Sequence, residues 1–100
     1  MQKPSARLAR KVEKENLWLF VLSVLSMKST SGARIKRLVT QRFGFVTGNV
    51  TVYKVLYLLQ KGGYVRRERE GREIVYTTTS KGRSELGKAK IFLKATLRVI

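Results

Sequence analysis

The stretch TGNVTVYKVLYLLQKGGYV, Thr47 to Val65, decides how the rest of the chain is read. Val52, Leu56 and Leu59 recur at i, i+4 and i+7, the spacing that lines one side of an α-helix. Val50, Lys54, Tyr57 and Lys61 fall on the opposite side. The spacing predicts a helix that packs by one face and presents the other, and Gly62 and Gly63 stop it.

Upstream, Gly44 to Gly48, GFVTG, is a short connection in which Thr47 or Asn49 can supply the oxygen that caps this helix. Before it, Lys28 to Gly32, KSTSG, is rich in turn and cap residues, so the chain is expected to turn there with Ser31 capping a second helix that runs to about Phe43. Ile35, Leu38, Val39 and Arg42 lie near one face of that helix. Arg34, Lys36, Arg37 and Gln41 lie around the others, and Gly44 is placed to end it. Two helices joined so tightly must cross. This is the helix-turn-helix arrangement, whose second helix enters the DNA major groove with its N-terminal residues near base edges. The N–H groups of that N-terminus also suit a phosphate.

Downstream, Tyr64 to Arg69 and Glu73 to Thr78 are β-rich and joined through Glu70, Gly71 and Arg72, which predicts a hairpin with a charged tip. Arg66 and Arg67 are adjacent and Ile74, Val75 and Tyr76 run together, so alternation leaves the core face of the hairpin unassigned. Thr79 and Ser80 offer caps for a final helix with apolar residues at Leu86, Ala89, Leu93, Leu97 and Ile100, spaced like a coiled-coil seam. Phe92 and Val99 widen this stripe beyond what a small domain can cover. The helix is therefore expected to pair with the same helix, and with Leu8 and Val12, of a second copy. The alternative is that both elements pack within one chain.

At the other end a helix is expected from Pro4 and Ser5, with Leu8 and Val12 one turn apart among Arg7, Arg10, Lys11 and Lys14, running unbroken to about Ser26. Its second half contains LWLFVLSVL, Leu17 to Leu25, apolar all round and expected to be buried on every side. A bilayer span needs about 20 apolar residues, and this run is near half that. Glu13 and Glu15 precede it and no small-residue cleavage site follows, so a core helix is expected instead of an anchor or signal.

Composition narrows the function. The 100 residues carry 22 Lys+Arg against 6 Asp+Glu, a formal charge of +16, which makes polyanions the natural partners. With 43% hydrophobic residues the chain has enough apolar material for one compact core and is not a disordered polycation. There is no cysteine and no histidine, so disulfides, thiolate chemistry, the usual zinc ligands and the commonest general base are all missing. The acids Glu13, Glu15, Glu68, Glu70, Glu73 and Glu85 nearly all stand beside Lys or Arg and read as ion-pair partners. No catalytic role, metal site or cofactor is expected.

Taken together, Ser31 to Leu86 resembles the PadR-like family of winged helix-turn-helix transcriptional regulators. The resemblance rests on Gly32 with Ile35-Lys36-Arg37-Leu38, on Phe43-Gly44, and on Thr51-Val52-Tyr53 with Leu56 and Leu59. Gly63-x-Val65 then leads into the wing, and Tyr76 precedes Thr79-x-x-Gly82. It implies a dimeric DNA-binding repressor whose N- and C-terminal helices form the dimer and whose Thr-Val-Tyr helix enters the major groove. The family's better-known members sense small ligands between subunits; no residue pattern in this chain marks such a pocket.

The expected fold is α+β and mainly α, a single winged-helix domain over residues 1–100. Residues 1–26 supply the N-terminal and first core helix, 31–79 the helix-turn-helix and wing, and 80–100 a C-terminal dimerisation helix. The expected partner is double-stranded DNA, bound by a cytoplasmic, nucleoid-associated homodimer that represses transcription from a palindromic operator. The competing reading is a non-specific architectural DNA-coating protein. Lys54 is assigned to a guanine edge or a phosphate, Tyr53 to a phosphate, and Thr47, Asn49 and Thr51 to backbone or bases near the helix start. Val50, Tyr57 and Lys61 complete the outward face. Arg34 and Arg37 are assigned to backbone phosphates, and Arg69 and Arg72 to an adjacent groove.

Overall fold

Asn16 divides the first helical stretch in two. The computed structural model, which describes residues 2–100, has α1 at Pro4–Glu15 and α2 at Leu17–Met27, so the single unbroken helix expected from the sequence is not formed. Asn16 takes φ −125° and ψ 36°, outside the helical basin. Asparagine competes with the helix for backbone hydrogen bonds, and here it stands where the charged leader meets the apolar run. The two halves also differ in burial: α1 buries none of its residues, whereas α2 buries Leu17, Val21, Leu22, Val24 and Leu25. Even α2 is not wrapped on every side, because Trp18, Leu19 and Phe20 are only partly covered.

The KSTSG segment holds more than a turn. Thr30–Ser31 forms β1, a two-residue strand paired antiparallel with β3, Glu73–Thr78, and too short for any alternation to reveal it. With β2, Val65–Glu70, the sheet order is β1-β3-β2. Ser31 does precede α3, Gly32–Phe43, in extended geometry, but its hydroxyl makes no capping bond; it is buried without a partner.

Gly44 ends α3 at φ 78°, a left-handed conformation that glycine adopts without a Cβ penalty. After the turn, α4 spans Asn49–Lys61. The turn is anchored from beneath: Phe20 of α2 meets Phe43 and Phe45 edge-to-face, each at 4.9 Å between ring centroids. Below the crossing, Leu22, Ile35, Val39, Val52 and Leu56 are fully buried in a core that also takes in Val65, Tyr76 and Leu86. The helices therefore cover the sheet face that carries Val65 and Tyr76.

The final helix α5, Ser80–Val99, is joined to the end of α4. The Thr79 hydroxyl accepts from the Gly82 N–H (3.1 Å) and donates to the Gly63 carbonyl (2.6 Å), while the Lys81 ammonium donates to the Gly62 carbonyl (2.7 Å). Gly82 is pressed against the Tyr64 carbonyl so closely that any Cβ there would overlap it. Beyond this joint α5 leaves the core, and every residue from Lys90 onward is exposed.

Candidate nucleic-acid interface

Burying Val52, Leu56 and Leu59 fixes the rotation of α4 about its own axis. Val50, Tyr53, Lys54, Tyr57 and Lys61 are consequently exposed, as are Asn49 and Thr51 at its start, while Thr47 is half-buried. The cap differs from expectation. Gly48 is the N-cap, in extended geometry, and neither Thr47 nor Asn49 caps the helix, because Asn49 is already its first helical residue. The first turn of α4 thus has no side chain capping its N–H groups.

Helix α3 contributes a second exposed row, Arg34 and Arg37. The two helices touch at Gly32 and Tyr53: a Cβ on Gly32 would lie 2.7 Å from the Tyr53 ring. This contact seats the Tyr53 ring on the N-terminus of α3, within one turn of Arg34. None of Arg34, Arg37, Lys54, Lys61, Arg69 or Arg72 belongs to an ion pair among the described residues. The pairs found are Lys11–Glu15, Arg66–Glu68 and Glu85–Lys88. Lys54 and Lys61 on α4, Arg34 and Arg37 on α3, and Arg69 and Arg72 at the hairpin tip are therefore six cations without an ion-pair partner among the described residues.

The hairpin places Arg69 near its tip and Arg72 in the turn, after Gly71 at φ 64°. It also carries Arg66 and Arg67, both exposed, which the sequence reading left out because it could not tell one hairpin face from the other.

The residues assigned to a second copy are distributed unevenly. Leu86 lies in the core of its own chain, where its apolar surface is already covered, so the open stripe starts at Ala89, which is half-buried. Leu8, Phe92, Leu93, Leu97 and Ile100 are exposed, Val12 is half-buried, and Ile91, at 71% exposure, is a further apolar side chain the seam pattern missed. Beside the start of α5 an open apolar cleft of about 390 Å³ is lined by Trp18, Leu22, Val55, Leu58 and Tyr64. Among the described residues no group of acids gathers as a metal site, and no helix is long and apolar enough to cross a membrane.

The family model of the transcriptional regulator PadR-like family matches residues 21–88. The chain belongs to this family. The matched range takes in α2 from Val21 onward, the helix-turn-helix, the wing and the first part of α5. A transcriptional regulator from Clostridium thermocellum superimposes with a TM-score of 0.79 at 19% identity, over 89% of this PadR-like chain and 93% of that one. F93 from STIV, a winged-helix DNA-binding protein, gives 0.73 at 22% identity, over 81% and 89%. Bacillus subtilis PadR, solved in complex with operator DNA, gives 0.64 at 24% identity, over 75% of this chain and 47% of that one. At these identities the structures establish the winged-helix fold. The comparison with curated proteins gives no match.

Proposed function

We propose that this PadR-like chain is a sequence-specific regulator that binds double-stranded DNA as a homodimer and represses transcription from a palindromic operator on the nucleoid. The observation that carries the proposal is the outward face of α4, where Lys54, Tyr53, Tyr57 and the uncapped first turn stand together over a fully buried Val52/Leu56 stripe. A rigidly held helix with this surface suits a major groove: Lys54 supplies a donor for a guanine edge or phosphate, and Tyr53 and Thr51 supply hydroxyls for the backbone. Family membership supports the reading, as does the operator DNA bound by B. subtilis PadR.

Competitive gel shifts test it. A regulator should prefer its own promoter over random DNA by about 10³ or more; equal competition by the two would favour a non-specific architectural role, the reading that the +16 charge by itself supports. A second measurement addresses the cations. Alanine at Arg34, Arg37, Arg69 or Arg72 is expected to weaken binding similarly on all sequences and to lower the slope of log K against log salt by about one unit per protomer. A slope equal to that of the unmodified protein removes that residue from the interface.

The homodimer rests on α5. Phe92, Leu97 and Ile100 are exposed at 68%, 75% and 95%, and burying each large apolar side chain is worth about 1.5 to 3 kcal/mol. The same stripe on a second copy, with the Leu8/Val12 face and the apolar cleft beside Trp18, offers the matching cover. In the proposed dimer the two α4 helices lie about 34 Å apart, one turn of DNA.

A further inference from the structure

The register of the wing sorts its charges by face. Residues directly paired across an antiparallel ladder share a face. Arg67 pairs with Tyr76 and Arg69 with Ile74, on the face that also carries Val65 and Thr78. Tyr76 and Val65 belong to the core beneath α2, α3 and α4, with Ile74 packed against it, so Arg67 and Arg69 emerge from the helix-bearing side of the sheet. The other face carries Arg66 opposite Thr77, Glu68 opposite Val75, and Glu70 opposite Glu73. There Arg66 is ion-paired with Glu68, which leaves Glu70 and Glu73 uncompensated on that face. Three of the chain's six acids thus stand on one side of a hairpin whose only charged residues on the other side are Arg67 and Arg69.

The Glu70–Glu73 pair is informative because like charges directly opposite each other weaken a hairpin. Nothing in the stability of the wing accounts for them, and breaches of a local rule of this kind are expected where a surface is shaped for a partner. We infer that the wing meets DNA by one face only: Arg67 and Arg69 engage backbone phosphates on the side continuous with α4, and the Glu70/Glu73 face repels the duplex and fixes which way the hairpin turns. The inference rests on the DNA-binding reading above. It adds Arg67 to the interface, leaves Arg66 out of it, and gives the acids an orienting role.

Adjacent arginines on opposite faces provide the test. A random-sequence DNA duplex is titrated with the full chain across a range of salt, since backbone contacts do not depend on sequence. Arg67→Gln and Arg69→Gln are each expected to lower the salt slope by about one unit per protomer. The charge-balanced double variant Arg66→Gln/Glu68→Gln is expected to leave it unchanged, and Glu70→Gln/Glu73→Gln to bind the random duplex several-fold more tightly. All these positions are exposed, and unaltered thermal melting confirms that each variant folds. A slope lowered as much by the Arg66/Glu68 variant as by Arg67→Gln overturns the one-faced wing, as does an unchanged affinity on removing Glu70 and Glu73. Absence of duplex binding by the unmodified chain is a different result, which removes the functional reading itself.

Discussion

Replacing Gly82 by alanine is expected to cost about 3 kcal/mol or more and to lower the thermal midpoint by at least about 10 °C. A Cβ at this position would overlap the Tyr64 carbonyl oxygen and lie 2.8 Å from the Thr78 Cγ2. Neither neighbour can give way cheaply. The Tyr64 oxygen accepts the Thr79 N–H (3.1 Å), and Thr78 is a buried strand residue paired with Val65. Relief would require α5 to lift off the wing, breaking the Thr79 and Lys81 bonds to the end of α4. Gly87, one and a half turns further along the same helix, is an internal control. A Cβ there meets nothing within 4 Å, so Gly87→Ala is expected to stabilise by up to about 1 kcal/mol through helix propensity. The same chemical change should therefore have opposite signs at two positions of one helix. Equal melting of the two variants would contradict the close packing at Gly82.

The second large effect concerns α5 beyond the joint. The double variant Phe92→Glu/Leu97→Glu places two carboxylates on the exposed apolar stripe without touching a buried residue. If two copies join there, light scattering at micromolar concentration should show a dimer for the unmodified chain and a monomer for the variant. Because linking two half-sites makes the second contact intramolecular, separating the copies should cost about 10²- to 10⁴-fold in affinity for a palindromic site. Affinity for an isolated half-site should barely change. An unmodified chain that is strictly monomeric at that concentration ends the dimer proposal outright.

The elements that the sequence made legible share one property: their signal is local and strong. Val52, Leu56 and Leu59 set the facing of α4, Gly44 set the end of α3, and the Thr79-x-x-Gly82 pattern set the start of α5, each through contacts within a few residues. What stayed hidden depends on distant pairing. The strand at Thr30–Ser31 exists only because β3 lies beside it, and the facing of the wing follows from a register that Arg66-Arg67 and Ile74-Val75-Tyr76 obscure. Leu86 illustrates the same limit: its spacing fits the seam of α5, yet the first turns of that helix pack on the chain's own core. The break at Asn16 was missed because both flanking segments have helical patterns of their own. For the outward residues, the sequence supplied the facing of α4 and the cationic rows, and the ladder register separated Arg67, on the helix-bearing face of the wing, from Arg66 on the other.

The joint at Thr79–Gly82 makes α5 an arm whose inner end is fixed to the foot of α4, the helix proposed to read the groove. In the proposed dimer such an arm would act as a caliper: tilting its outer end would swing the whole head and alter the reach between two heads joined at their tails. Anything that wedges into or tightens the junction of two arms would thereby retune the spacing that the pair can span along a duplex, without touching a residue of the reading surface.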